Sequence, residues 1–340
     1  MKAVWLDLNS RRIEEGDVPE PVFDSDNQVL IRVVEVGVCG TDRDLAAFAR
    51  GEAPSGETTL IPGHEALGRV LAAGGAVTRL KPGDWVVPTV RRACAPACRA
   101  CERNRRDLCV SGAYTERGIF RRHGYMSERA VDFAGDLIPV PEEIARFAVL
   151  TEPLSVVEKA IEKAIRLHEE PIERALVLGA GPIGFLAALA LQARGIEVAI
   201  HSAEPGSHPR VSKIVSAGIG YCTALDGHAP RADLVVEATG SPEAAFAGFR
   251  CLGPSGVYAV LGGGVGAGHI SFLDLVMKNQ IVFGSVNASP ESMALAVRDL
   301  ARFDRRVLEG FIRRVPLGAF RGGVLEPPRD TFKLVHVLTE

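Results

Sequence analysis

Ala175-Leu176-Val177-Leu178-Gly179-Ala180-Gly181-Pro182-Ile183-Gly184 decides the fold of this chain. Four apolar residues end on Gly179-x-Gly181-x-x-Gly184, and an apolar run with helical character continues to Ala193. That order reads as strand, tight turn and helix. The glycines permit the turn, a close backbone approach to a pyrophosphate, and close packing of helix on strand. Free N–H groups at the helix start favour phosphate. Three glycines alone are a weak motif that also fits a turn with only a packing role; the strand before and the helix after give it weight. Downstream, Glu197 to His201, Asp233 to Glu237 and Val257 to Leu261 read as further strands with helices between them. Alternating strands and helices predict an α/β domain built on a doubly wound parallel sheet. Upstream, Leu154, Val157, Ile161 and Ile165 keep helical spacing among Glu158, Lys159, Glu162 and Lys163, so a helix leads in.

Two readings of the dinucleotide stand. An NAD site carries an acid about 20 residues beyond the glycines, where it holds the ribose hydroxyls. Here the strand ends in His201-Ser202-Ala203, with Glu204-Pro205-Gly206 beyond. The lack of an acid at the tip favours NADP, with Ser202, His201 and Arg210 around the 2′-phosphate and Lys213 assisting. Glu204 favours NAD. Arg210 and Lys213 fit a solvated helix face equally well.

Residues 1–150 have a different texture. Val29 to Val36, Ala66 to Leu71 and Asp84 to Val90 are β-branched runs, separated by turns such as Lys81-Pro82-Gly83-Asp84. The end of the chain carries one helical stretch, Pro290 to Phe303, and a strand-like Leu334 to Leu338, expected to return to the first domain. The 340 residues give room for two such domains. A net charge of −3 gives no basic field for nucleic acid or an anionic membrane. No apolar run approaches the roughly 20 residues of a membrane span, and charges come too early for a signal peptide. A cytoplasmic protein is expected, where cysteine clusters hold metals more often than disulfides.

Four of the seven cysteines, Cys94, Cys98, Cys101 and Cys109, crowd into one short stretch flanked by Arg91, Arg92, Arg99, Arg103, Arg105 and Arg106. A charged loop does not bury thiols for hydrophobicity. Four thiolates fit a closed tetrahedral structural Zn²⁺ site; a disulfide pair, a redox pair and an iron–sulfur site are the alternatives. Cys39-Gly40-Thr41-Asp42, Gly63-His64-Glu65 and Glu152-Pro153 supply a second set. Singly they read as a core cysteine, a structural histidine and a helix-start acid. Jointly they are the ligand types of an open catalytic zinc site, with a free position for an alcohol or carbonyl oxygen. Thr41 is placed to relay the hydroxyl proton, and hydride transfer is the dinucleotide's chemistry.

Gly63-His64-Glu65-x-x-Gly68, with Gly74 and Val77 beyond, resembles the zinc signature of the zinc-dependent medium-chain dehydrogenase/reductase family. Cys94 to Cys109 and Gly179 to Gly184 follow in that family's order. The resemblance implies a GroES-like catalytic domain at 1–152 and 287–340, a Rossmann domain at 153–286, and a homodimer or homotetramer. Arg91-Arg92, Ser111 to Ile119, Glu152-Pro153-Leu154 with Glu158-Lys159, and Gly284-Ser285-Val286-Asn287 resemble its glucose dehydrogenase branch. By that resemblance Cys39, His64 and Glu152 hold the active zinc, Glu65 is a neighbouring or exchanging ligand, and Glu116, Glu152 and Asn287 meet the sugar. Cofactor contacts are expected at Gly179, Gly181, Pro182, Ile183, Gly184, Ser202, Arg210, Thr239 and Asn287. The implied reaction is NAD(P)-dependent oxidation of an aldose, glucose foremost, at C1 to a lactone. A polyol, alcohol or threonine dehydrogenase is the alternative, and a non-catalytic dinucleotide sensor is the alternative of another class. Three departures bear on this: Cys94-x3-Cys98 is one residue longer than usual, Thr89 stands where a sugar-binding Asn is expected, and Val156 where an acid is expected.

Overall fold

Val29, Ile31 and Val33 are fully buried along the strand Gln28–Gly37, the alternation of a strand with one face on a core; Val36 is buried as well, beyond a register shift between Val33 and Glu35. The computed structural model describes residues 1–225 and 231–338. It divides into two compact units. Met1–Glu152, Asn287–Ala301 and Phe311–Glu340 form the first; Pro153–Val286 and Arg302–Gly310 form the second. The segment Arg302–Gly310 thus lies with the second unit, where the sequence placed 287–340 as one piece.

In the first unit the Gln28–Gly37 strand is central. The sheet runs Leu137–Val140, Trp85–Pro88, Glu65–Ala73, Gln28–Gly37, Lys333–Val337, Ile312–Pro316, and Arg129–Phe133 also pairs with Gln28–Gly37. The C-terminal strand therefore completes a sheet begun near the N-terminus. Register matters for the site: Gly37 pairs with Glu65 across one edge and with Val335 across the other. The core beneath includes Val4, Ile31, Val36, Val70, Val86, Met126 and Phe320.

A buried charge cluster lies in the same unit. Arg92 and Arg117 donate to Oδ1 of Asp132 at 2.9 and 2.7 Å, and the Tyr125 hydroxyl donates to Oδ2. Arg92 also donates to the Thr89 hydroxyl at 2.9 Å. Thr89 is thus committed to Arg92.

The second unit carries the expected parallel sheet. Its order is Gly220–Cys222, Glu197–His201, Arg174–Leu178, Ala232–Glu237, Leu252–Val260, Ile281–Gly284, all parallel. The apolar helix Pro182–Gln192 follows the glycine turn, and Gly184 to Leu191 are buried along it. Among the described residues no helix is long and apolar enough to cross a membrane.

Candidate active site

Strand register builds the first constellation. Cys39 follows Gly37 by two residues and His64 precedes Glu65 by one, so the Gly37–Glu65 pair sets the two side chains together. Cys39 caps the helix Gly40–Ala46; its sulfur accepts from the Thr41 N–H at 3.2 Å, and its own N–H donates to Asp42 at 2.8 Å. The turn before His64 needs Gly63, whose φ is +90°, a region costly for other residues. His64 Nε2 then lies 3.1 Å from the Cys39 sulfur. Asp42, fully buried, lies 3.5 Å from His64 Nδ1 on the far side of the ring. A carboxylate behind a histidine fixes tautomer and ring orientation for a metal on the other nitrogen.

Donor atoms of Cys39, His64 and Glu65 lie within 4.8 Å of one another. Both Glu65 oxygens also accept from the buried Lys333 ammonium, at 2.8 and 2.7 Å. A Cβ at Gly37 would collide with the Glu65 carboxylate, so glycine makes the room. Glu152 stands outside this tight set but feels it. Burial, then the Glu65 charge, pushes its carboxyl up to about 7, while His64 and Lys333 pull it down. A thiol, an imidazole and oxygen donors, with Asp42 and Glu152 nearby, make a cation-seeking donor set that fits Zn²⁺. The Thr41 hydroxyl is attached one residue beyond Gly40 at the same helix start. Asp42 and Lys333 escaped the sequence reading. Asp42 carried a faint signal as the third residue after Cys39, the spacing of a capping box; Lys333 carried none.

The second constellation is the cysteine lobe. All four sulfurs lie within 4.8 Å of one another. Cys94 and Cys101 are 3.7 Å apart, and Cys98 and Cys109 are 3.8 Å apart. A tetrahedral ion with zinc–sulfur bonds of about 2.3 Å requires sulfurs about 3.8 Å apart, whereas a disulfide requires about 2 Å. The longer Cys94-x3-Cys98 spacing does not displace Cys94. Backbone N–H groups of Cys101 and Val110 pull the Cys98 thiol down to about 5, toward the thiolate a metal takes. The lobe is an excursion between the strands Arg91–Arg92 and Thr115–Arg117, where Arg91 pairs with Glu116.

Glu116 is the third feature. Arg91 Nε and Asn287 Nδ2 each donate to Oε1 at 3.0 Å, and the second Arg91 amine is also 3.0 Å from it. Arg91 is held in turn by the Asp107 carbonyl at 3.1 Å and by the Tyr114 ring, 3.8 Å below its guanidinium. Among the described residues these donors all converge on Oε1, which leaves Oε2 to accept from a ligand hydroxyl. Arg91 as the clamp was not foreseen.

In the second unit, Gly179 has a φ of +110°, and its N–H donates to the His201 carbonyl at 2.8 Å. A Cβ at Gly184 would strike the Gly179 carbonyl, whereas one at Gly181 would meet nothing within 4 Å. Those are the turn, the close packing and the open approach expected of the three positions. Gly181 caps the helix without a side-chain partner, and Pro182 and Ile183 form its first turn. Thr239 turns inward: its N–H and hydroxyl both donate to the buried Glu237. Ser202 donates to Glu204, and Arg210 lies 4.0 Å from the same carboxylate.

Comparison with known proteins agrees with both halves. Residues 145–333 match the family described as glucose dehydrogenase C-terminus, and residues 25–142 the alcohol dehydrogenase GroES-like domain. The chain is 39% identical to glucose 1-dehydrogenase of Methanocella arvoryzae, over 97% of this chain and 96% of that one. It is 38% identical to the Thermoproteus tenax glucose 1-dehydrogenase, over 90% and 88%. The structure matches Haloferax mediterranei glucose dehydrogenase, solved in complex with NADP, Zn and gluconolactone, with a TM-score of 0.90, 30% identity and full coverage of both chains. The chain belongs to the zinc-dependent medium-chain dehydrogenase/reductase family, in its glucose dehydrogenase branch.

Proposed function

We propose that this chain is a glucose 1-dehydrogenase: a zinc- and NAD(P)-dependent enzyme that oxidises an aldose at C1 to the lactone. The convergence of Cys39, His64 and Glu65 on one point carries the reading, and the activity named for the relatives agrees with it. Cys39 and His64 are the fixed ligands. Glu65 and Glu152 share the carboxylate position, Lys333 holding Glu65 whenever Glu152 serves. Zinc bound there supplies a Lewis acid for the C1 hydroxyl, and the nicotinamide supplies the hydride acceptor. The balance is simple: the C1 hydrogen leaves with its electron pair, and the hydroxyl proton leaves through Thr41 toward solvent. Asp42 keeps the His64 ring in place throughout. Glu116 presents Oε2 to sugar hydroxyls, and Asn287, held on Oε1, stands beside it. Cys94, Cys98, Cys101 and Cys109 hold a second, structural zinc.

Glu116→Gln is expected to raise KM for glucose about 10- to 100-fold, the value of one hydrogen bond to a charged group, with kcat little changed. Steady-state kinetics checks it; a fall in kcat with KM unmoved would show that Glu116 does not bind the sugar. Cys101→Ser should drop bound zinc from two ions to one per chain and lower the melting temperature by several degrees, with the hydride step retained. Selective loss of the hydride step in an intact assembly would reverse the two metal assignments.

The assembly is a homodimer or homotetramer. Phe272, Leu273, Val276 and Met277 expose an apolar face on one short helix, beside the edge strand Ile281–Gly284. Such a patch on a water-soluble chain marks an interface. Light scattering that finds a monomer would refute it. Seven free thiols, four of them gathered as metal ligands, support a cytoplasmic setting.

The deciding experiment is a substrate panel followed by NAD(P)H absorbance, with zinc counted per chain. Turnover of glucose with two zinc ions supports the reading. Turnover of sorbitol or threonine with none of any aldose overturns the sugar assignment, and dinucleotide binding without any turnover favours a sensor.

A further inference from the structure

We propose that Glu204 makes this enzyme an NAD enzyme, by accepting the adenosine ribose hydroxyls and repelling a 2′-phosphate. The inference rests on the dehydrogenase reading above and names which of two dinucleotides the site takes. It begins with register. Leu178 pairs with His201 and His201 with Cys222, so Gly179, Ser202 and the chain after Cys222 leave the same end of the sheet side by side. The Gly179 N–H, bonded to the His201 carbonyl, ties the glycine turn to the loop that carries Ser202 and Glu204. A dinucleotide with its pyrophosphate on the glycine turn sets its adenosine ribose over that loop.

Glu204 is held there. The Ser202 hydroxyl donates to Glu204 Oε2, and the Glu204 N–H donates to that hydroxyl oxygen at 3.1 Å. Tyr221, from the neighbouring strand, pins the loop through the Glu204 carbonyl at 2.5 Å and lies 3.1 Å from the Ser202 hydroxyl. The carboxylate remains about one-third exposed. An ionised carboxylate accepts about four hydrogen bonds, so a ribose diol can still donate to it.

The groups that a 2′-phosphate needs are otherwise engaged. The Ser202 hydroxyl already donates its hydrogen bond to Glu204. Burial holds the His201 imidazole below its usual range, so it offers no positive charge at neutral pH. Arg210 is 4.0 Å from Glu204 Oε1, facing a carboxylate already. A phosphate monoester carries about 1.5 to 2 negative charges at pH 7 and would be set against a fixed anion. The lack of an acid at the strand tip favours NADP and Glu204, three residues beyond His201, favours NAD; the way Ser202 and Tyr221 hold Glu204 supports the second reading.

The test is the dissociation constants of NADH and NADPH for the zinc-loaded protein, read by nicotinamide fluorescence without sugar, beside kcat/KM for NAD⁺ and NADP⁺ with glucose. NADH should bind at least about tenfold more tightly than NADPH. Glu204→Arg should reverse that order and Glu204→Gln should narrow it. Equal binding, or tighter NADPH, in the unaltered protein overturns the proposal while glucose oxidation still stands. An unchanged ratio in Glu204→Gln overturns it even if Glu204→Arg fails to fold. Binding of neither dinucleotide would instead strike the dehydrogenase reading itself.

Discussion

His64→Ala is expected to lower kcat/KM for sugar oxidation by about 10³-fold or more while leaving dinucleotide affinity unchanged. The imidazole is one of two neutral-or-soft donors, 3.1 Å from the other. Its loss leaves Cys39 and a carboxylate already shared with Lys333, too few ligands to retain an open-site zinc. Lewis-acid stabilisation of a developing oxyanion is worth several kcal/mol, and each 1.36 kcal/mol is about tenfold in rate, hence the three decades. The dinucleotide motif belongs to the other compact unit and uses no residue of this turn. Asp42 loses its ring partner but keeps the Cys39 N–H, so the protein should still fold, at a cost of about 1–3 kcal/mol. Zinc analysis should fall from two ions to one per chain, with the cysteine lobe still loaded. Undiminished turnover in a metal-depleted His64→Ala protein would end the zinc mechanism.

What could be read from the chain and what could not divide along physical lines. The turn at Gly179–Gly184 was legible because its constraints are local: a positive φ, a close approach and an open side, each within six residues. The cysteine lobe was legible because four thiols amid arginines have no packing rationale. Glu197–His201 agrees with its expected strand to the residue, since the apolar run and the Pro-Gly turn after it bound it on both sides. The carboxyl end was harder: Pro290–Leu300 is helical as expected, yet Arg302–Gly310 joins the second unit through tertiary packing that no local pattern records.

Partnerships across long sequence distances were invisible. Lys333 meets Glu65 only because the last strand lies beside Gln28–Gly37. Arg91 clamps Glu116 only because the lobe folds its two strands together. Thr89, which stands where a sugar-binding Asn is expected, faces Arg92. Thr239, read as a cofactor contact, directs its hydroxyl to Glu237, a carboxylate that also accepts from Gly240 and Gly262. Lys333 went unnoticed altogether; for Arg91, Thr89 and Thr239 the residue type was noticed and its orientation was not, because orientation is set by a partner elsewhere in the chain.

Asp132→Asn should destabilise the protein by about 3–5 kcal/mol, the usual cost of leaving a buried charge without its counterion. Arg92 and Arg117 are both buried and both turn to Asp132 Oδ1, so one substitution strips Arg117 of its carboxylate partner and leaves Arg92 with Asp136 alone, 3.1 Å from its Nε. Burial alone would raise the Asp132 carboxyl; the Arg117 and Arg92 charges, with the Tyr125 hydroxyl, hold it well below the usual carboxylate range. The sign follows. A carboxyl depressed in the folded state stabilises fully above its unfolded value, about 3.9, and loses that contribution only as pH falls from there through the folded value. The gap between parent and variant in urea unfolding should therefore be flat from pH 8 to pH 5 and shrink below about pH 4. A gap below about 1 kcal/mol at pH 7, the range of an exposed pair, would mean that water reaches the cluster. The consequence extends to the sugar site. Arg91 and Arg92 are neighbours on one strand, the second anchored on Asp132 and the first on Glu116. Loosening the anchor should misplace Arg91, so that folded Asp132→Asn shows a raised glucose KM with its dinucleotide affinity intact.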